Sequence, residues 1–467
     1  MKNLKNILLG CVAVTGLYSC EKDLDQQPTD VFSDANAFLS ISDVQQGTNA
    51  AFGRYGGYAN DMYASALLSD EAKLGGNNDG QGALTYRYEF SSDNTTGADV
   101  IAAWGSYYSL IDQCNRVLPK VATVPATPSE EPRRNILRAH LIGLRALGHF
   151  GLLQSYTKVY DPNDQLGVPL MLSSNATGLP ARNTVGEVMN QIITDLAEAK
   201  SLLPDVTPAD FTDTVLNKVN IAAYQARIAL YRRDYDQAIA FASEVINSNV
   251  KPLASGPAFA SIWTDQSANE VLFKIRYETS TAIGSLWTTL NGNVYIAPSD
   301  KLRASYSGTD VRATAYVGQD ANNNYYVKKF FESARGGRIV HLKAARTAEM
   351  YLIRAEANAR KATPDIAAAA ADLNFLRSNR IGGYVDQSFS NINVLINEIM
   401  EERFKELAFE GFRYFDLKRN GLPVQRLLSD ANAQWAELPA NSFRFVLPIP
   451  RSEINANPNM IQNDGYN

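Results

Sequence analysis

The chain has 467 residues, 45% hydrophobic and 20% charged, with a net charge of −5. That length leaves room for one large domain or two or three small ones, each with a full apolar core. The mild acidity argues against nucleic acid as a partner, because phosphate recognition calls for a basic patch.

At the start, Lys2 and Lys5 precede an apolar run from Ile7 to Leu17. The run is too short to span a bilayer as a helix and reads as a signal peptide over residues 1–19. It closes on Leu17-Tyr18-Ser19-Cys20, similar to a bacterial lipobox, with Tyr18 where a small residue is usual. Acyl chains on Cys20, at about 0.8 kcal/mol per buried CH₂, would hold the protein on a membrane almost permanently. Glu21, Asp23 and Asp25 follow directly, in a short charged tether. Cys11 leaves with the signal and Cys20 carries lipid, so Cys114 stands alone and no intramolecular disulfide forms.

A helix is expected from Asp43 to Tyr55, broken by Gly56-Gly57, and a polar loop at 75–82 follows. Trp104 to Leu118 and Leu137 to Tyr156 carry apolar residues at helical spacing, with Trp104 and Cys114 on the core side. Thr184 and Glu187 form a capping-box pattern that opens a helix to Leu203. Ala226, Tyr235, Ala238 and Ala242, within 222–246, have the small-residue spacing of a tetratricopeptide-like helix pair. Residues 251–345 differ, with short alternating stretches at Leu272–Tyr277, Val294–Pro298, Tyr325–Phe330 and Ile339–Leu342 between Gly-, Ser-, Thr- and Asn-rich loops. Helices return at 346–420: one around Tyr351 and Ala355, an alanine-rich one from Ala367 through Leu376, and one from Ile392 to Ala408. The fold class that follows is mostly α, a tetratricopeptide-like helix-pair scaffold with an irregular loop-rich lobe holding a few short strands. The expected division is a signal at 1–19, a helical region at 20–250, and a C-terminal region at 251–467 that includes the lobe.

The block Ala348-Glu349-Met350-Tyr351-Leu352-Ile353-Arg354-Ala355-Glu356-Ala357 resembles the "AEmyLirAEA" block of the SusD/RagB family. Glu402 to Leu417 resembles its "ERRxELAFEGxRxFDL" block, with Phe404 in place of the second arginine, and Leu447–Pro450 with Asn457–Asn463 is similar to its "PIP…NPN…QN" ending. The resemblance spans the signal, the helix pairs and the C-terminal third. It implies a lipid-anchored protein of the bacterial outer membrane, facing outward, that captures oligosaccharides for a SusC-like TonB-dependent transporter without catalysis. Capture of peptides, as in RagB-like members, is the alternative it leaves open. A lipid-anchored hydrolase and a scaffold for envelope assembly are the other readings.

Chemistry for an enzyme is thin. His140, His149 and His341 lack zinc spacing, and no phosphate or dinucleotide fingerprint calls for a cofactor. Glu402, Glu406 and Glu410 lie four apart, but histidines for a diiron site are absent; ion pairs with Arg403 and Arg413, worth a few tenths of a kcal/mol each, are expected instead. Some members of the family hold calcium, yet no compact acidic loop here demands a metal. Sugar capture needs aromatic faces in loops beside hydrogen-bonding groups. Trp287 and Tyr295 with Asn291 nearby, and Tyr86, Arg87 and Tyr88 after the 75–82 loop, are the candidates.

Overall fold

The computed structural model describes residues 37–278, 283–289 and 292–466. The signal peptide, Cys20 and Asn291 lie outside the described residues.

Helix α1 (Ile41–Gly53) opens on a capping box, in which the Ser40 hydroxyl accepts from the Asp43 N–H and the Asp43 carboxylate accepts from the Ser40 N–H. The chain turns at once into α2 (Gly57–Leu68), buried along nearly its whole length. A Cβ on Gly57 would lie 2.7 Å from the Tyr107 ring, so glycine is what lets α2 and the next long helix meet. That helix, α3 (Ala98–Thr123), and α4 (Glu131–Tyr156) run well past the stretches that periodicity marks. Pro119 sits inside α3, and Pro132 occupies the first turn of α4, where its missing N–H costs nothing. By length and composition α4 could cross a membrane, but 83% of its most apolar window is buried inside the protein, as in a core helix. Trp104 and Cys114 are both buried.

The helix pairs follow. The Thr184–Glu187 capping box starts α5 (Val185–Leu202). Helices α6 (Lys218–Tyr231) and α7 (Tyr235–Ser248) pack through Ala226, Ala238 and Ala242, all fully buried. Helix α7 then packs on α8 (Thr347–Arg360), which pairs with α9 (Ile366–Ser378) and contacts α10 (Ile392–Glu406). The small residues Ala355, Ala359 and Ala369 sit at these seams and permit close backbone approach. Helix α11 (Arg413–Arg419) returns to α2.

Strands among the described residues are short and pair two by two, all antiparallel: β1 (Ala72–Leu74) with β3 (Ile296–Pro298), β2 (Val271–Ile275) with β6 (Leu342–Arg346), β4 (Val317–Gln319) with β5 (Tyr325–Val327), and β7 (Val424–Gln425) with β8 (Glu437–Leu438). The first ladder ties the lobe to the N-terminal helices. Two expected strands are displaced. At 339–342 the strand begins only at Leu342, because Arg338 takes a left-handed φ of 63° and the His341 N–H donates to the Asp265 carboxylate. At 325–330 it stops at Val327 and gives way to a turn that carries Lys329 into the core.

The three spaced glutamates do not pair with Arg403 and Arg413 as expected. Arg403 binds Asp416 and Arg413 binds Asp70, at 2.8 and 2.7 Å. Glu402 and Glu406 are fully buried on α10, while Glu410 lies past its end. Arg312 and Arg377 hold Glu402, Arg346 and Arg380 hold Glu406, and Arg346 and Lys329 hold Glu410, at 2.5–2.9 Å. The expectation failed because partners from 312–380 are remote in sequence, and burial raises the stakes from tenths to about 3–5 kcal/mol when one partner is removed. Phe404, where the family block has arginine, lies in the core with the Arg413 guanidinium 4.5 Å from its ring centre.

Candidate ligand-binding face

Beyond β1, the 75–82 loop is fastened to the segment entering β3. The Gly75 N–H donates to the Tyr295 carbonyl at 2.7 Å, the Asn78 amide donates to the same oxygen at 2.9 Å, and Asn77 exchanges hydrogen bonds with Val294. A Cβ on Gly75 would sit 2.2 Å from the Val294 carbonyl oxygen, so only glycine allows this approach. Tyr295 is left half-buried at the surface.

Gly82, with φ 65°, turns the loop into the short helix Ala83–Tyr86. Tyr86 is only 2% exposed and donates its hydroxyl to the Asp430 carbonyl, and the Tyr88 hydroxyl donates to the Leu68 carbonyl. Arg426 lies 3.9 Å from the Tyr86 ring centre and 4.7 Å from that of Tyr88, and donates to the carbonyls of Leu67, Ser69, Tyr86 and Trp435. The two tyrosines therefore brace the face, Tyr86 with its ring buried and Tyr88 with part of its surface exposed. Arg87, between them, sets its guanidinium 4.8 Å from the ring centre of the partly exposed Trp435.

A charged cluster adjoins. Lys73 on β1 pairs with Asp300 at 2.6 Å and approaches Asp430 at 3.4 Å, while Asp430 caps the 300–305 turn by accepting from the Asp300 N–H. Burial pushes the Asp300 carboxyl up, but hydrogen bonds from Lys73, Arg303 and Ser429 outweigh it and hold the group at about 2. Arg303 also stacks on Tyr325, 3.6 Å from its ring centre. Tyr325 opens β5, next to Asn324, whose side-chain oxygen would lie 3.3 Å from a Cβ placed on Gly76.

Trp287 must be corrected. It is fully buried, edge-on to Tyr63 and Phe409 with ring centres 5.7 and 5.6 Å away, and packed on Phe330 at 5.1 Å. The turn Ile283–Leu286 and the Thr288–Val294 bridge fold its segment inward. Its carbonyl accepts from the Tyr295 N–H at 2.9 Å, so Trp287 supports the face from below. Of the sequence candidates, Arg87, Tyr88 and Tyr295 retain exposed surface here. Among the described residues no group of three His, Cys, Asp or Glu side chains is placed to hold a metal ion.

A family model described as "SusD family" matches residues 276–466, and one described as "Starch-binding associating with outer membrane" matches residues 22–230. The chain belongs to the SusD-like family. SusD-like protein P2 of Formosa agariphila is 25% identical over 97% of this chain and 98% of its own. A crystal structure of a putative sugar binding protein from Bacteroides vulgatus superposes with a TM-score of 0.81 at 25% identity, covering 92% of this chain and 100% of that one. A laminarin binding SusD-like protein shares the fold, with a TM-score of 0.71 at 20% identity over 92% of this chain and 100% of that chain.

In this SusD-like protein the sequence reading missed Trp435, Lys73, Arg303 and Tyr325. Trp435 carried a usable signal, since Asn432-Ala433-Gln434-Trp435 is a polar stretch without helical periodicity. The other three are ordinary residues brought together by the β1–β3 and β4–β5 ladders.

Proposed function

We propose that this SusD-like protein is a non-catalytic, lipid-anchored glycan-binding protein of the outer membrane that captures oligosaccharides and passes them to a SusC-like TonB-dependent transporter. The observation that carries this reading is the face built on the 75–82 loop. It presents part of Tyr295, the Arg87–Trp435 pair and the Arg303–Tyr325 pair beside Lys73, Asn77 and Asn324. Ring faces of this kind stack on the C–H face of a pyranose, and the amides and cations satisfy its hydroxyls. The names of the sugar-binding and laminarin-binding structures agree with it.

A hydrolase is disfavoured on physical grounds. Glycoside cleavage needs a carboxylic acid that still holds its proton near neutral pH. Asp300, at the face, is held at about 2 by its cations. Burial pushes up Asp61 to about 7 and Glu71 to about 8, both in the core, as it does the buried Glu270 and Asp372 and the partly exposed Asp99, whose carboxylate accepts from Thr85.

The test is to extract the native protein from outer membranes in mild detergent and apply it to immobilised glycans. Retention on one glycan class, with a large β-barrel protein co-eluting and the glycan recovered uncut, is the expected result. Shortened glycan in the eluate, or retention on peptide columns alone, would overturn the reading.

A further inference from the structure

A groove of ≈ 730 Å³ lies between α3, α4 and the segment at 172–174, on the helical array and lined by none of the residues of the face described above. Its charged lining is cationic: Arg116, Lys120, Arg138 and Arg145. The carboxylates that pair with three of them, Asp112, Glu198 and Asp195, stand outside the lining. Its apolar floor includes Leu118 and Leu172, and Leu172 is 45% exposed. Phe38 also lines it, so the described chain begins at the groove itself. The Phe38 ring lies against α1 so closely that a Cβ on Gly47 would be 2.9 Å from it, and Val117 of α3 is equally near. This contact anchors the chain's point of entry.

We propose that this groove is the docking site of the chain's own stretch between Cys20 and Ala37. That stretch carries Glu21, Asp23, Asp25, Asp30 and Asp34 against the single Lys22, and Val31-Phe32 supplies an apolar pair. Arg116, Arg138 and Arg145 are already ion-paired, so the charge match falls on Lys120, and the apolar pair matches the Leu118–Leu172 floor. Reach is sufficient, because Asp34 precedes Phe38 by four positions and an extended chain covers about 3.5 Å per residue, or about 14 Å. Phe32, six positions before Phe38, has about 21 Å of extended reach from a residue that itself lines the groove with Leu118 and Leu172. The docked stretch shortens the free tether between an anchor at Cys20 and the folded body, and so restricts how the ligand face can turn over the membrane. The proposal does not depend on glycan binding.

The experiment is limited chymotrypsin digestion of the mature soluble chain, residues 21–467, with cleavage after Phe32 followed by mass spectrometry. Docking predicts that cleavage is about tenfold slower than in the free peptide 21–36, since cutting follows the undocked population. Lys120→Glu should abolish the protection, as should Asp30→Lys combined with Asp34→Lys, which leaves the described fold untouched. High salt should weaken the protection, and joining Lys120→Glu to Asp34→Lys should restore it. Cleavage of the wild type at the free-peptide rate overturns the proposal, as does protection indifferent to all these charge changes. Protection that fades on dilution also overturns it, because a second copy would then be supplying the stretch.

Discussion

Glu406 sits in the core of α10 with Arg312, Arg346 and Arg380 around it. Burial alone would raise its pKa, but Arg380, Arg346 and Arg312 hold it down at about 2, against 4.5 for a free glutamate. Glu356 behaves the same way, its burial outweighed chiefly by Arg419, and also stands at about 2. Both groups have folded pKa values below the unfolded ones. Their stabilisation is therefore fully present above about pH 4.5 and disappears as pH falls towards 2. Urea midpoints should fall steeply from pH 5 to pH 3, and Glu406→Gln should lower stability at pH 7 by about 3–5 kcal/mol while flattening that acid limb. The two tryptophans make a second contrast at this scale. Trp287→Ala empties a fully buried site and should cost about 3–5 kcal/mol in unfolding experiments. Trp435→Ala removes a partly exposed ring partnered by Arg87; it should keep the urea midpoint nearly unchanged and weaken glycan binding about tenfold, the scale of one stacking contact.

At the scale of elements, the loop at 75–82 and the helix pairs obey different rules. Gly75→Ala forces a Cβ into the Val294 carbonyl, so the loop must lift from Tyr295. Faster amide exchange at the loop and at Tyr295, with weaker glycan binding and little change in global stability, is the expected signature. Ala242→Leu, at the fully buried α6–α7 seam, should instead lower stability by about 1–3 kcal/mol without touching ligand affinity. The helix pairs were legible in the sequence because their causes are local: alanines at helical spacing and the Thr184–Glu187 capping box. The strand expected at 339–342 was misplaced because a bond to Asp265, remote in sequence, decides where the ladder starts. Trp287 misled for a related reason. A loop-like sequence around a tryptophan says nothing of Tyr63, Phe330 and Phe409, which come from elsewhere in the chain to bury it. Arg87 and Tyr295 were legible as aromatic and cationic loop residues, whereas Arg303 and Tyr325 needed the fold to bring them together.

Across the whole molecule, buried arginine–glutamate contacts join α10 to the lobe through Arg312 and to β6 through Arg346, so helical scaffold and lobe share one charged core. Such a core favours a ligand face that is already formed before binding, which lowers the ordering cost of capturing a flexible sugar. The glycan-capture reading meets its most direct test in isothermal titration of the mature chain, residues 21–467, against plant, host and microbial glycans, with Tyr295→Ala in parallel. The account predicts saturable heat with one glycan class, weakened about tenfold by Tyr295→Ala, as loss of one stacked ring implies. Binding to that glycan that is indifferent to Tyr295→Ala and Trp435→Ala, or heat from peptides and none from any glycan, would contradict it.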